Sequence, residues 1–275
     1  MLYHQHITLN MKNYIIILFT ITGLFFSSCS SDDNGGESNL TGEGNITLTF
    51  DNGYAGNDLI LGTTNPANAN GEQLTITRFS YIVSNFRFTS TDGETYTYPK
   101  DESYFIINQE AEIEDVALSA IPAGEYTAVT FGVGVDAEKY NQGAEGQGDF
   151  LTLAEESDMM WSWLAGYKFL NFEGSFTSAT VTEATDFKIH MGSHGSSLDN
   201  YKEVTLNLPT HLLVSEDMES NIHLKIDANV ILNGQYNISL SEKAVIMVDE
   251  EKSPQIATNT SGMFTVDHVH NGSGH

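Results

Sequence analysis

Residues 73–90 read QLTITRFSYIVSNFRFTS, a long run rich in β-branched and aromatic side chains. Such residues are enriched in β-strands, where they pack well on a pleated surface. Asp92-Gly93 follows, and this dipeptide favours a tight turn into ETYTY at 94–98. The stretch therefore predicts an antiparallel hairpin.

The same composition recurs along the rest of the chain. Further strands are predicted at 46–50, 103–108, 125–136, 167–178, 186–192, 202–208, 221–232 and 235–240. Asn233-Gly234 predicts a hairpin turn between the last two. Helical periodicity is scarce outside residues 150–160. We therefore predict an all-β fold, a single antiparallel β-sandwich or open barrel with little helix.

The N-terminal segment has the pattern of a signal peptide. From Met11, Lys12 precedes an apolar run and then small residues up to Cys29. We predict a signal peptide over 1–28, with Met11 as the true start. Cys29 follows Phe-Ser-Ser and resembles a bacterial lipobox, in which the cysteine carries lipid. The alternative is a permanent transmembrane anchor, for which the run is short.

The remaining boundaries follow from composition. Residues 29–44 are predicted to be a lipidated cysteine and a flexible tether, because they are rich in Ser, Gly, Asn and Asp. Residues 45–250 form one predicted domain, and 251–275 a His-containing extension, either ordered or loose. The expected location is the cell envelope, as an outer-membrane lipoprotein facing the periplasm or the surface. Membrane contact is expected through the lipid alone.

Charge and cysteine content narrow the function classes. The chain has 37 Asp and Glu against 11 Lys and Arg, a net charge of −26. Such a surface repels phosphate backbones and attracts cations, so nucleic acid is not an expected partner. Cys29 is the single cysteine. If it carries lipid, the folded domain has no thiol for a blue-copper centre, an iron–sulfur cluster or a cysteine nucleophile.

Two pairs of histidines are candidate metal ligands. His190 and His194 lie where a predicted strand enters a glycine–serine loop, and His190 projects away from the apolar row of its strand. His268 and His270 are two residues apart, on one side of an extended segment. Imidazole is the commonest protein ligand for borderline metals. His223 stands alone and is interpreted as an exposed strand histidine.

Both tryptophans lie in DMMWSWLAGYKFLNFEG at 158–174. An indole N–H donates a hydrogen bond but offers no lone pair to a metal. In a strand, Trp161 and Trp163 would share one face. They are then either part of the core or a stacking surface for sugar rings.

Segment 158–174 resembles the central signature of the MbnP-like copper-binding proteins, which are named from bacteria that make the copper chelator methanobactin. The matching positions there are Met159-Met160-Trp161-Ser162-Trp163, Gly166-Tyr167-Lys168-Phe169 and Glu173-Gly174. Further pieces agree in order at 47–50, 79–85, 122–126, 131–136 and 190–193. The resemblance spans about residues 45–231.

The resemblance implies a copper site built on an altered tryptophan. In that family a dihaem peroxidase-like partner enzyme oxidises a tryptophan to kynurenine, which helps a histidine hold copper. His190 matches the family's histidine. Trp161 and Trp163 both match, with a preference for Trp163. Together with nearby side chains, the candidate ligands are His190, His194, His268, His270, Trp161, Trp163 and Met191, and the thioethers of Met159 and Met160 would also suit Cu(I).

Three functions remain open from the sequence. The first is an envelope-anchored copper-binding protein, acting in copper uptake, storage or homeostasis. The second is a surface adhesion or glycan-binding lipoprotein that uses the Trp-x-Trp segment as a stacking platform. The third is an enzyme, which ranks last because the sequence has no GxSxG, HExxH, P-loop or dinucleotide fingerprint.

Overall fold

The computed structural model describes residues 40–193 and 198–272. The predicted signal peptide, Cys29, most of the tether and His194 lie outside these ranges. Within them, no helix is long and apolar enough to cross a membrane.

The first sheet has five strands, which are β1 (Glu43–Tyr54), β2 (Asn57–Asp58), β6 (Asp115–Pro122), β13 (Glu219–Asp227) and β15 (Phe264–Asn271). Across the sheet they lie in the order β15-β13-β1-β2, with β6 also paired to β1. The sheet is mixed, because β1 and β13 run parallel.

The second sheet has eight strands, which are β3 (Gln73–Ser90), β4 (Thr95–Thr97), β5 (Tyr104–Asn108), β7 (Gly124–Val133), β10 (Leu170–Thr177), β11 (Thr185–Met191), β12 (Lys202–Val214) and β14 (Val245–Ile246). Across the sheet they lie in the order β12-β7-β3-β10-β11-β14, with β4 and β5 also paired to β3. The antiparallel pairing of β3 with β4 confirms the hairpin predicted at Asp92-Gly93.

The remaining elements are short. They are the hairpin of β8 (Met160–Ser162) and β9 (Gly166–Tyr167), the helices α1 (Ala137–Tyr140), α2 (Asp149–Glu156), α3 (Val230–Asn233) and α4 (Lys252–Ser261), and 3-10 turns at Lys100–Glu102 and Ala144–Gln147. Helix α2 overlaps residues 150–160, the stretch outside which helical periodicity is scarce in the sequence.

The second predicted hairpin, at Asn233-Gly234, is wrong. The chain forms α3 there, and residues 235–240 are not a strand. The Asn259 side chain of α4 donates to the Ile231 and Tyr236 carbonyls, and its oxygen accepts from the Tyr236 N–H. These backbone groups therefore find their partners on a helix, and a ladder of hairpin bonds is not needed.

Within the predicted C-terminal extension, β15 forms an edge strand of the five-stranded sheet. Along its length β15 pairs with β13, from Ser220 opposite Asn271 to Ile226 opposite Phe264. Residues 252–271 therefore supply a helix and an edge strand to the same fold.

Aromatic side chains of both sheets meet in the core. Phe50 of β1 and Phe264 of β15 pack edge-to-face against Phe131 of β7, with ring centroids 5.9 and 5.1 Å away. Tyr81 of β3 packs against the same two rings at 6.2 and 5.8 Å. All four are buried, and edge-to-face contacts add to the free energy of burial. The two sheets are thus joined face to face, which confirms the predicted all-β sandwich.

Candidate metal centre

The end of β11 presents His190 on the outward face of the eight-stranded sheet. Phe187, Ile189 and Met191 alternate with it and point into the core. Met191 is 1% exposed and pairs with Leu170. The structure therefore does not bring Met191 to the same face as His190, because adjacent residues of a strand point to opposite faces.

The hairpin of β8 and β9 places Trp161 beside His190. Phe169, just after the hairpin, donates its N–H to the carbonyl of Met191 at 2.6 Å, which fastens the hairpin to the end of β11. The indole and imidazole ring centroids are 6.3 Å apart, with the planes at 52°. At Gly192 an added Cβ would lie 3.0 Å from the indole, so this close approach requires glycine.

Trp163 has a different environment from Trp161. Its ring stacks on Tyr140 with centroids 5.0 Å apart, and the Tyr140 hydroxyl donates to the Trp163 carbonyl at 2.9 Å. The register shifts between Met160 and Ser162, and this irregularity breaks the alternation that predicted one shared face. The structure therefore brings Trp161 to His190, whereas the sequence favoured Trp163.

The hydrogen bonds of His190 leave one ring nitrogen available. Its Nε2 lies 2.6 Å from the Glu173 carboxylate, which accepts a hydrogen bond from it. The proton is thus assigned to Nε2 and the lone pair to Nδ1. Nδ1 is buried and has no hydrogen-bond partner among residues 40–193 and 198–272. Within the same ranges, neither side-chain amide atom of Asn171, directly opposite on β10, has a partner.

Burial keeps this imidazole neutral. Desolvation lowers the pKa of His190, and nearby Lys168 and Lys188 add to the effect, while the Glu173 carboxylate opposes it. The net direction is below the ordinary value of 6.5. A neutral imidazole with a free Nδ1 lone pair is the form that binds a metal.

An open cleft of about 480 Å³ surrounds His190. We call it the His190 cleft. Its ionic lining consists of Arg78, Lys168, Lys188, Glu110, Asp158 and Glu173. Arg78 bridges Glu110 and Asp158 at 2.8 and 2.7 Å, and buried Lys168 contacts Asp158 at 2.8 Å. Three cations therefore balance three carboxylates, in contrast to the strongly negative chain.

Two methionines, Met160 and Met247, also line the His190 cleft. The sequence indicated Met160 as a nearby thioether. It gave no sign of Met247, which follows β14 and reaches the cleft because β14 pairs with β11. An imidazole nitrogen with thioether sulfurs is a donor set that suits Cu(I). The residues of the cleft therefore fit a soft metal ion.

His268 and His270 lie far from this cleft in the fold. They are on β15, at the edge of the five-stranded sheet, with the aromatic core between them and β11. The structure therefore does not bring them together with His190. His268 stacks on His223, with ring centroids 4.8 Å apart and planes at 16°. The sequence placed His223 on an outward face but could not show which strand lies next to it.

The fold and the His190 cleft define an all-β sandwich protein with a candidate metal centre at one strand end. A family model described as MbnP matches residues 43–249, so the chain belongs to the MbnP family. Among solved structures, the chain is similar to MbnP from Methylosinus trichosporium, with 12% identity and a TM-score of 0.46. That match covers 75% of this chain and 81% of the other. No curated protein matches.

Proposed function

We propose that this protein binds copper in the His190 cleft. Membership of the MbnP family supports this, because the resemblance to the MbnP-like copper-binding proteins implies a copper site. The observation that carries the proposal is the pairing of Trp161 with His190, whose buried Nδ1 has no hydrogen-bond partner within the described ranges.

The proposal includes oxidation of Trp161 to kynurenine. The C2–C3 bond of the indole breaks, each of these carbons gains an oxygen atom, and hydrolysis releases C2 as formate. The four electrons go to one O₂ or to two molecules of hydrogen peroxide, in a reaction catalysed by a dihaem partner enzyme. The product carries a ketone and an aromatic amine, both with lone pairs. A side chain that offers no ligand thus becomes one that does.

The other residues of the cleft have distinct roles in this proposal. His190 would supply Nδ1, and Met160 and Met247 would supply thioether sulfurs. Glu173 holds the imidazole in the required tautomer, as carboxylates do behind metal-binding histidines. His194 remains a candidate ligand from the sequence.

The biological setting is part of the proposal. We propose a non-enzymatic role in copper uptake, storage or homeostasis, on a lipoprotein of the cell envelope anchored through Cys29. A glycan platform would need two exposed, coplanar indoles. Trp161 and Trp163 are instead each partly buried, against different rings.

Co-expression with a dihaem oxidase of the native host tests the proposal. Peptide mapping by mass spectrometry should find kynurenine at position 161, and copper should bind at one ion per chain. Trp161→Phe and His190→Ala should lose this copper. Trp163→Phe is the matched control and should keep it, because Trp163 stacks on Tyr140 away from His190.

Oxidation confined to position 163, or copper binding that survives both Trp161→Phe and His190→Ala, would contradict the proposal. Protein made without the oxidase should retain both indoles and bind copper more weakly.

A further inference from the structure

A second group of metal-binding side chains lies on the outward face of the five-stranded sheet. His223 of β13 is directly opposite His268 of β15, and Leu224 is opposite Val266. One extra residue on β15, Asp267, thus forms a β-bulge. Bulges re-aim side chains, and both Asp267 and His268 are exposed here. The bulge therefore brings a carboxylate and an imidazole together against a second imidazole.

We call His223, Asp267 and His268 the His223 cluster. One carboxylate oxygen of Asp267 lies 2.9 Å from His268 Nδ1 and 3.5 Å from His223 Nδ1. One ligand atom from each residue lies within 4.8 Å of the others. Two ligands at tetrahedral angles on one Zn²⁺ are roughly 3.3 Å apart. Small side-chain rotations would therefore close the cluster on an ion.

A second carboxylate orients His223. Asp51 of the adjacent β1 lies 3.6 Å from His223 Nε2 and forms an ion pair with Lys225. Asp51 and Asp267 thus lie beside opposite ring nitrogens of His223 and hold the imidazole between them. His223 Nδ1 is buried and finds no hydrogen-bond donor or acceptor in the part of the chain that the structure describes. Carboxylates support metal-binding imidazoles in the same way.

An ordinary surface pair offers a comparison. His211 Nδ1 lies 2.6 Å from Glu125, and both side chains are about half exposed. That pair has one imidazole and one carboxylate, enough for a hydrogen bond. In the His223 cluster a second imidazole stacks at 4.8 Å, so two imidazoles and one carboxylate lie together. A shared metal ion can take a lone pair from each ring.

We propose that the His223 cluster binds a divalent first-row transition ion of the Zn²⁺ and Cu²⁺ type. His223, Asp267 and His268 are the ligands, and water takes the fourth position. Two imidazoles and a carboxylate suit these borderline ions, whereas the thioethers of the His190 cleft suit Cu(I). The site is separate from the His190 cleft and does not depend on the proposed function.

Zn²⁺ titration by calorimetry, on protein made without an oxidase, tests the site. His223→Ala and His268→Ala should each bind one Zn²⁺ fewer per chain than the unchanged protein. His211→Ala is the matched control for an exposed strand histidine and should retain the full number. Circular dichroism checks that every variant is folded.

Co²⁺ provides a second readout. The unchanged protein should develop the visible absorption of four-coordinate Co²⁺, and Asp267→Asn should weaken it. If His223→Ala and His268→Ala bind as much Zn²⁺ as His211→Ala, the proposal is overturned. The same holds if the Co²⁺ spectrum is unchanged in both histidine variants.

Discussion

The His190 cleft and the His223 cluster both combine imidazole with carboxylate, yet they differ in burial and in the third kind of donor. His190 is 4% exposed, has a close Glu173 partner and lies among thioethers. The His223 cluster is open, has two imidazoles and shows looser contacts. Burial and donor type thus distinguish the proposed site for a soft ion from the proposed site for a borderline divalent ion.

The largest expected effect is a loss of stability in the core that the His190 cleft and the His223 cluster share. Phe50 packs between the sheets that carry them, so Phe50→Ala should lower the free energy of unfolding by about 3–5 kcal/mol. Urea denaturation measures this. Ile60→Ala, at a position 62% exposed, is the control and should change stability by less than about 0.5 kcal/mol. Similar midpoints for the two variants would show that the aromatic core does not join the sheets as described.

Gly192→Ala should disturb the surroundings of the His190 cleft and leave the His223 cluster unchanged. The new Cβ would lie 2.1 Å from the Tyr167 carbonyl oxygen and 3.0 Å from the Trp161 ring. We expect the free energy of unfolding to fall by about 1–3 kcal/mol, because the hairpin of β8 and β9 must shift. Zn²⁺ binding at the His223 cluster should be unaffected.

Gly124→Ala is the control for that change, since its nearest neighbour, Tyr126, would be 3.8 Å from the added Cβ. If the two alanine variants unfold at the same urea concentration, the close packing around Gly192 is disproved.

Glu173→Gln tests the carboxylate behind His190. Without the carboxylate charge, the imidazole is no longer held in the tautomer with its proton on Nε2. Copper affinity in the oxidised protein should therefore fall about 10–100-fold. Competition with a copper chelator measures the affinity. Glu125→Gln alters the equally short pair with His211 and should leave copper affinity unchanged. Equal affinities for both variants would remove the positioning role of Glu173.

The pH dependence of stability gives the smallest effect. Burial lowers the pKa of His190 in the folded protein below 6.5, the ordinary value that we take for the unfolded chain. Between the folded and the unfolded pKa, the unfolded chain therefore holds a proton that the folded chain lacks. Stability should therefore fall as pH drops through this window, by at most about 1.4 kcal/mol per pH unit for one proton. His190→Gln should flatten the slope. A slope in His190→Gln equal to that of the unchanged protein would argue against a buried neutral His190.

Much of the fold followed from local sequence, because a strand's composition and its turns are local properties. The run at 73–90 and the Asp92-Gly93 turn were predicted correctly. The Asn233-Gly234 turn was not, since Asn259 of a later helix binds that backbone.

The site was predictable only in part. Alternation correctly placed His190 on the outward face, and the family resemblance directed attention to the tryptophans. The register shift that separates Trp161 from Trp163 has no sequence signature. Neither Met247 nor the contact of His223 with His268 was visible, because both depend on which strands are neighbours.

Copper anomalous diffraction from crystals of the oxidase-treated protein tests the central claim most directly. We predict an anomalous peak in the His190 cleft, against His190 Nδ1 and a ring-opened residue 161, with Glu173 still on Nε2. An intact indole at 161 with copper bound only elsewhere on the chain would contradict the account.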